Sequence, residues 1–194
     1  GHSARDIYYL LLSKNIAMEK KGFAIGTRVE HSAELIRSIQ YGASKYRDIL
    51  PVAEYSLTWT NKKSSRGIYS FCMCPGGYVI NSSSEEDHLC TNGMSLSSRS
   101  GKFSNSAIVV SVHPEDTAPG IISAIELQRN IEHLAFKAGG GKFKAPAQRI
   151  TSFLKGAIDS TLPESSYKNG ITPADLTKIL PQWIASEIKI ALPY

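Results

Sequence analysis

The stretch Tyr69-Ser-Phe-Cys-Met-Cys-Pro-Gly-Gly-Tyr-Val-Ile80 decides how this chain can fold. Its first half alternates between larger apolar and smaller side chains, which predicts an extended strand with two distinct faces. One face would carry Tyr69, Phe71 and Met73, and the other Ser70, Cys72 and Cys74. Pro75 cannot donate to a sheet ladder, and Gly76-Gly77 permit backbone angles that other residues resist. The stretch therefore fits a tight hairpin with two buried free cysteines, or a loop that lets a flat ligand come close.

A second group of small polar residues favours the ligand-loop interpretation. Asn92-Gly-Met-Ser-Leu-Ser-Ser-Arg99 and, after it, Asn105-Ser-Ala107 lack the apolar character of a core segment. Together with the Pro-Gly-Gly stretch, they indicate loops that approach something outside the core.

Short strands surround these loops. Strand-forming residues predict strands over 22–30, 54–60, 66–73, 78–81, 88–91 and 107–113. The turns between most of them hold only a few residues, whereas parallel pairs need long crossover connections. The strand part therefore predicts an antiparallel sheet or a partial β-barrel.

Helical patterns begin and end the chain. Ser3, with Asp6, fits a capping box for a first helix, and Ser32 caps a second helix that ends at Gly42. Residues 124–138 have one apolar face and form the longest predicted helix. Later helices are predicted over 147–154, after a capping box that Thr172 opens, and after Pro181. The predicted fold is α+β, with an N-terminal helix and junction (1–21), a mainly antiparallel β part (22–117) and a mainly helical part (118–194).

Composition limits the classes of function. The 194 residues are 42% hydrophobic and 20% charged, which fits one domain, or two small subdomains that share a core. The formal charge of +5 is spread along the chain rather than concentrated, so we expect no nucleic-acid partner. No apolar run reaches the ~18 residues of a membrane span, and we expect no membrane partner. Three cysteines imply no disulfide framework, which suggests a reducing, cytoplasmic location.

Several common chemical motifs are absent. Gly139-Gly-Gly-Lys142 lacks the upstream glycine and the following Ser or Thr of a phosphate loop, and no dinucleotide fingerprint occurs. Cys72 and Cys74 do not have zinc-ligand spacing, so we expect no metal site. The start of the first helix, which holds His2, Ser3 and Arg5, could receive an anionic group or could simply be a capped helix.

Taken together, the motifs resemble a known family. Gly1-His-Ser-Ala-Arg-Asp6, Phe71-Cys-Met-Cys-Pro-Gly-Gly77, Asn92-Gly-Met-Ser95 and Lys144-Ala-Pro-Ala-Gln-Arg149 are among the segments that resemble the middle portion of bacterial FAD-dependent dehydrogenase-like flavoproteins, the NAD- or FAD-utilizing dehydrogenases. The resemblance covers nearly the whole chain. It implies that this chain is the inserted, substrate-side domain of a split Rossmann flavoprotein, native from Gly1 onward.

The resemblance also implies partners and residue roles. The FAD-binding Rossmann portion of the same polypeptide would be the partner, FAD the cofactor and a small molecule the substrate, with NAD(P)H as a possible donor. The isolated chain would then be inactive. Cofactor-side residues would be His2, Ser3 and Arg5 at the junction, and Met73, Pro75, Gly76, Gly77, Asn92, Gly93, Met94 and Ser95 over the flavin ring. Cavity candidates would be Cys72, Cys74, Arg99 and Asn105, with Arg99 neutralising a substrate anion or reduced flavin.

Two other classes of function stay open at this point. The same loops could belong to a non-catalytic domain that binds an anionic small ligand or a partner. A basic nucleic-acid module is the third alternative, and steeply salt-dependent binding of RNA or DNA would distinguish it.

Overall fold

The computed structural model describes residues 2–47 and 49–194, so the prediction about Gly1 lies outside the described residues. The elements in chain order are α1 (Arg5–Ser13), β1 (Phe23–Ser32), α2 (Ala33–Tyr41), β2 (Thr58–Asn61), β3 (Arg66–Cys74), β4 (Tyr78–Asn81), β5 (Thr91–Met94), β6 (Phe103–Val112), α3 (Ser123–Ala138), β7 (Ala145–Ala147), α4 (Ile150–Lys155), β8 (Ile171–Pro173) and α5 (Gln182–Ala191). Single 3₁₀ turns cover Pro114–Asp116 and Leu176–Lys178. The predicted α+β class is confirmed.

The main sheet is open and antiparallel, with strand order β1-β6-β3-β2. Its long central strand β6 pairs with β1 over ten positions, from Phe23 opposite Val112 to Ser32 opposite Phe103. Strands β4 and β5 form a separate antiparallel pair, and β7 and β8 a short parallel pair. The antiparallel prediction is thus correct for the main sheet, while the parallel pair was not predicted; α4 lies in its crossover connection.

One face of the main sheet forms the core. Ile25, Ile68, Val110 and Val112 point towards α5, where Ile184 is fully buried. Other core residues come from α4 and from the segment before α5: Phe153, Leu180, Ala185 and Ile188. The alternation of β6 places the other half of its side chains, from Asn105 to Ser111, on the opposite face of the sheet.

Several helix boundaries follow the sequence prediction. Ser32 accepts a hydrogen bond from the backbone of Leu35 at the start of α2, and Gly42 ends this helix. The longest helix, α3, ends before Gly139 as predicted. Glycine at that position also allows a close approach, because a Cβ there would collide with the backbone of Lys144.

Two predicted caps are wrong. The cap of α1 is Ala4, with no side-chain hydrogen bond, and Ser3 is exposed. Ion pairs of Arg5 hold this end of the helix instead. Thr172 lies in β8 and donates to the carbonyl of Gly139, while Asp175 caps the following 3₁₀ turn. The short helix predicted over 147–154 begins later, because 145–147 pair as strand β7.

Three strand predictions need correction. The partner strand of residues 78–81 is formed by residues 91–94 and not by the predicted residues 88–91. Tyr78 lies opposite Met94, and Asn81 lies opposite Thr91. Residues 92–94 and 105–107 were predicted as loops, although residue 107 also began a predicted strand, and they belong to β5 and β6. The strand predicted over 54–60 is confined to Thr58–Asn61. The segment before it leaves the sheet, and its Tyr55 hydroxyl bonds to Ser106 and His31.

Candidate ligand-binding site

The stretch that decides the fold contains a β-bulge. Phe71 pairs with Ala107 and Cys74 pairs with Asn105, so three steps on β3 match two on β6. Cys72 lies within the bulge and has a left-handed backbone conformation, with φ of 47°. Its side chain is exposed. The bulge turns Cys74 onto the same sheet face as Phe71. The prediction that Cys74 and Phe71 lie on opposite faces is therefore wrong.

The Pro-Gly-Gly turn does not close a hairpin between β3 and β4, which are not paired. It redirects the chain into the separate β4–β5 pair. Gly76 has φ of 52°, and a Cβ on it would collide with the carbonyl of Arg99. A Cβ on Gly77 would lie 2.8 Å from the Ser95 hydroxyl, which itself donates to the carbonyl of Pro75 at 2.8 Å. The close approach that these glycines allow is therefore with residues 94–101 of the same chain.

A half-buried arginine lies at the centre of the bulged region. Arg28, on β1, donates from Nη1 to Oδ1 of Asn105 and, at 3.5 Å, to the carbonyl of Cys72. Its Nη2 donates to Oδ1 of Asn92 at 3.2 Å. The Cys74 sulfur lies 4.0 Å from Nη1. We call Arg28, Asn92, Asn105, Cys72 and Cys74 the Arg28 cluster.

The β4–β5 pair is pressed against this cluster through one glycine. A Cβ on Gly93 would lie 2.7 Å from the Cys74 sulfur and closer still to Nη1 of Arg28 and Oδ1 of Asn105. Asn105 is 0% exposed, and its Nδ2 has no hydrogen-bond partner among the residues that the structure describes. The site thus contains a buried polar atom that the described part of the protein leaves unpaired.

An apolar strip on the outer sheet face continues from the cluster. Direct pairing places Arg28, Ala107 and Phe71 in one row across three strands, and Gly26, Val109 and Tyr69 in the next. Phe71 is 58% exposed. Next to it, a groove of about 510 Å³ is lined by residues of the same strands, including Ala24, Tyr69, Phe71 and Val109. Small-molecule sites are concave and mostly apolar with a few polar groups, and this groove with the strip and the Arg28 cluster has that composition.

Two predicted cofactor-side methionines and the cavity candidate Arg99 lie outside the Arg28 cluster. Met94 is 49% exposed and Met73 is half-buried. The Arg99 side chain is 51% exposed and lies 3.7 Å from Glu54, whereas Arg28 has no carboxylate partner within residues 2–47 and 49–194. Their predicted roles are not tested by these positions and stay predictions.

The predicted junction residues form an ion-pair cluster with α3 and the β4–β5 connection. Arg5 is only 4% exposed and donates to Glu85 and Glu132, each at 2.8 Å. His2 also bonds to Glu132. Burial alone would raise the pKa of Glu132, but the hydrogen bonds from His2 and Arg5 hold that pKa below its ordinary value. In this chain, these residues attach α1 to the rest of the domain.

The same cluster offers atoms of metal-ligand type. His2, Cys90 and Glu132 could each provide one ligand atom, all within 4.8 Å of one another. However, Nη2 of Arg5 lies 2.8 Å from Glu132 and 3.2 Å from the His2 ring. A guanidinium cation in direct contact with two of the three groups opposes a second cation there. We interpret the cluster as an ion-pair network.

Sequence reasoning missed the central group of the site. Arg28 appears in the chain only as a charged residue within a strand, a pattern that also fits an ordinary solvated edge. The alternation of 22–30 could have indicated that Arg28 faces away from the core. That no acidic side chain of the described residues pairs with it depends on the fold and could not have been read from the sequence.

The fold and the site define an α+β domain with an uncovered outer sheet face and a polar cluster at one end of it. Residues 22–194 match the family described as "FAD-dependent protein, C-terminal domain-like", and the chain belongs to this family. The chain is also 44% identical over 192 residues to an uncharacterized protein of Clostridium beijerinckii. The alignment covers 97% of this chain and 36% of that protein, so the chain spans little more than a third of the relative's length.

The family match confirms the FAD-related part of the predicted resemblance, while the dehydrogenase and insert parts stay predictions. Within residues 2–47 and 49–194, no helix combines the length and the apolar character that crossing a bilayer requires.

Proposed function

We propose that this chain is the substrate-side domain of an FAD-dependent oxidoreductase, and that its outer sheet face lies against the flavin ring. The FAD itself would be bound mainly by another part of the same longer polypeptide. Membership of the FAD-dependent family supports the cofactor, and the relative's greater length leaves room for a separate FAD-binding part. The insertion within a split Rossmann domain, the use of NAD(P)H and the cytoplasmic location belong to this proposal as predictions.

The observation that carries the proposal is the uncovered apolar strip beside the Arg28 cluster. The strip has a small side chain at Ala107 and an exposed aromatic ring at Phe71, so a planar ring can lie against this part of the sheet face. The unpaired Nδ2 of Asn105 and the donors of Arg28 fit the oxygen atoms of such a ring system. These residues fit an FAD-dependent site.

Each partner would have a distinct role. Bound FAD supplies the redox chemistry by accepting and donating electrons. The strip would exclude water from one side of the ligand and Phe71 would pack against it. Arg28, Asn92 and Asn105 would orient its polar edge. The chain on its own would be inactive, because the redox group is held elsewhere.

A second candidate function has support from the same cluster. Among the described residues, the Arg28 guanidinium has only neutral partners, which also fits a non-catalytic domain that binds an anionic ligand. The two candidates differ in whether the longer polypeptide contains flavin.

The test is a visible absorption spectrum of the longer polypeptide with its native flanking sequences, beside the 194-residue chain with added FAD. We expect flavin bands in the longer polypeptide and none bound to the chain alone. Phe71→Ser should shift the flavin bands, whereas Ile39→Ser, at a 72% exposed position on α2, should leave them unchanged. A folded but colourless longer polypeptide that does not take up FAD would refute the proposal and favour the anionic-ligand domain.

A further inference from the structure

We infer that Arg28, rather than Arg99, receives a negatively charged oxygen of the bound ligand, and that Asn105 donates to another acceptor atom of the same ligand. This oxygen could belong to a carboxylate on a planar apolar substrate or to the carbonyl oxygen of reduced flavin, because both are anionic hydrogen-bond acceptors. The flavin source rests on the proposed function. The carboxylate source does not rest on it, so the inference about Arg28 and the proposed function can be refuted independently of each other.

The first argument is the pattern of unused donors on Arg28. A guanidinium has five N–H groups in a fixed plane. Three of them have acceptors in Asn105, Cys72 and Asn92. Nε and the second hydrogen of Nη2 have no acceptor within the described part of the chain. Nε and Nη2 share one edge of the guanidinium, and such an edge can make two parallel hydrogen bonds with a carboxylate.

The second argument is the missing counter-charge. The acidic residue two positions further along the same strand face is Glu30, and it accepts from the backbone and hydroxyl of Ser166. No ion pair of Arg28 occurs among the described residues, although it is half-buried. A partly desolvated cation with only neutral partners gains more from an anionic ligand than a fully solvated one does.

The third argument is the orientation of Asn105. Arg28 can only donate, so the atom of Asn105 that it contacts must be the oxygen. The amide is therefore fixed with Nδ2 as its remaining donor. That nitrogen is buried and without a partner in the described structure. Buried donors are nearly always paired in folded proteins, so this one requires an acceptor that the described residues do not supply, and a ligand atom would fill that role.

The fourth argument concerns the body of the ligand. Ala107 and Phe71 lie in the same row as Arg28, and the groove continues along the strip. A planar apolar group could lie on this strip while its oxygen reaches the guanidinium edge. Arg99 offers no such surface, because its side chain is half-exposed and paired with Glu54. The geometry therefore selects a planar carboxylate, or the flavin itself, over a small inorganic anion.

The test has two arms and uses Arg28→Gln, the charge-retaining Arg28→Lys and the matched control Arg99→Gln. In the first arm, benzoate is titrated into the 194-residue chain, and the side-chain N–H signals of Arg28 and Asn105 are followed by NMR. In the second arm, the midpoint potential of FAD is measured in the flavin-loaded longer polypeptide. The wild-type NMR titration requires no variant, so a destabilised variant leaves the inference testable.

A carboxylate source predicts that benzoate shifts both side-chain signals, and that Arg28→Gln raises the dissociation constant at least about tenfold, as loss of a charge-assisted pair implies. A flavin source predicts that Arg28→Gln lowers the midpoint potential of FAD by about 30 mV, which is a tenfold change in the equilibrium constant of a two-electron couple. Arg28→Lys should recover part of this loss. Unshifted signals together with an unchanged potential would overturn the inference. Equal effects of Arg99→Gln would also overturn it.

Discussion

Replacing Gly93 by alanine should strongly destabilise this protein, although the change adds one methyl group. The new Cβ would lie 2.7 Å from the Cys74 sulfur and closer to Nη1 of Arg28 and Oδ1 of Asn105. Ordinary contacts between heavy atoms are about 3.5–4 Å, so at least one neighbour must move by about 1 Å. Asn105 is fully buried and Cys74 is 9% exposed, so neither can move into solvent.

The size of the effect follows from two contributions. Overpacking costs about 1–3 kcal/mol, and a lost hydrogen bond from a charged donor costs about 1.5–3 kcal/mol. Because part of the strain would be relieved by breaking that bond, the two do not add fully. We expect a loss of about 3 kcal/mol in the free energy of unfolding, or about 6–12 °C in Tm for a domain of this size.

Gly67→Ala is the matched control. Gly67 also lies in a strand of the described structure without a positive φ, and its Cβ would meet the rotatable Ser111 hydroxyl at 3.3 Å and Cδ1 of Tyr69 at an ordinary contact distance of 3.9 Å. This variant should stay within about 1 kcal/mol of wild type, because reduced freedom of the unfolded chain offsets the close contact. Urea unfolding can be followed by the fluorescence of Trp59 and Trp183, which both pack against the core. Equal stability of the Gly93 and Gly67 variants would refute the reasoning.

Three further predictions concern the rest of the described chain. The hydrogen bonds from Arg66 hold the pKa of Asp116 below its ordinary value of about 4. The folded state is therefore fully stabilised by these bonds above about pH 4, and it loses this stabilisation as the pH falls through the lowered pKa. Asp116→Asn should therefore have a lower free energy of unfolding than wild type at pH 7, and the two values should converge in acid. A difference in the free energy of unfolding in urea that does not change with pH would contradict this. Ile184→Ala, in the core, should lose about 2–5 kcal/mol, whereas Ile190→Ala at a 48% exposed position of the same helix should lose much less; similar losses would contradict the assigned core. Among the three thiols of the native chain, Cys72 should react first with iodoacetamide because its side chain is the exposed one, as peptide mass spectrometry would show.

The sequence predicted those parts of the fold that depend on local signals. Ser32 and Gly42 bound α2 because a hydroxyl cap and a glycine end act on the neighbouring backbone alone. The apolar face of α3 and the main antiparallel sheet followed from periodicity. The cap assigned to Ser3 failed because ion pairs with distant residues determine how that helix begins.

The site was predicted only in part, because its geometry depends on one extra residue. The bulge at Cys72 turns Cys74 onto the face of Phe71, and no propensity of the individual residues indicates where a strand takes up an insertion. Asn105 was named as a cavity candidate and lies in the Arg28 cluster, but its position in β6 depends on long-range pairing. Arg28 was missed for the same reason.

The central claim, that the bulged face lies against the flavin, is tested most directly by the alkylation rate of Cys72. The rate would be measured in the longer polypeptide, first loaded with FAD and then after FAD removal, with peptide mass spectrometry to assign the modified thiol. We predict that Cys72 is slow to react with FAD bound and becomes fast when FAD is removed. The same rate in both states, in a protein shown to be folded in each, would contradict the claim.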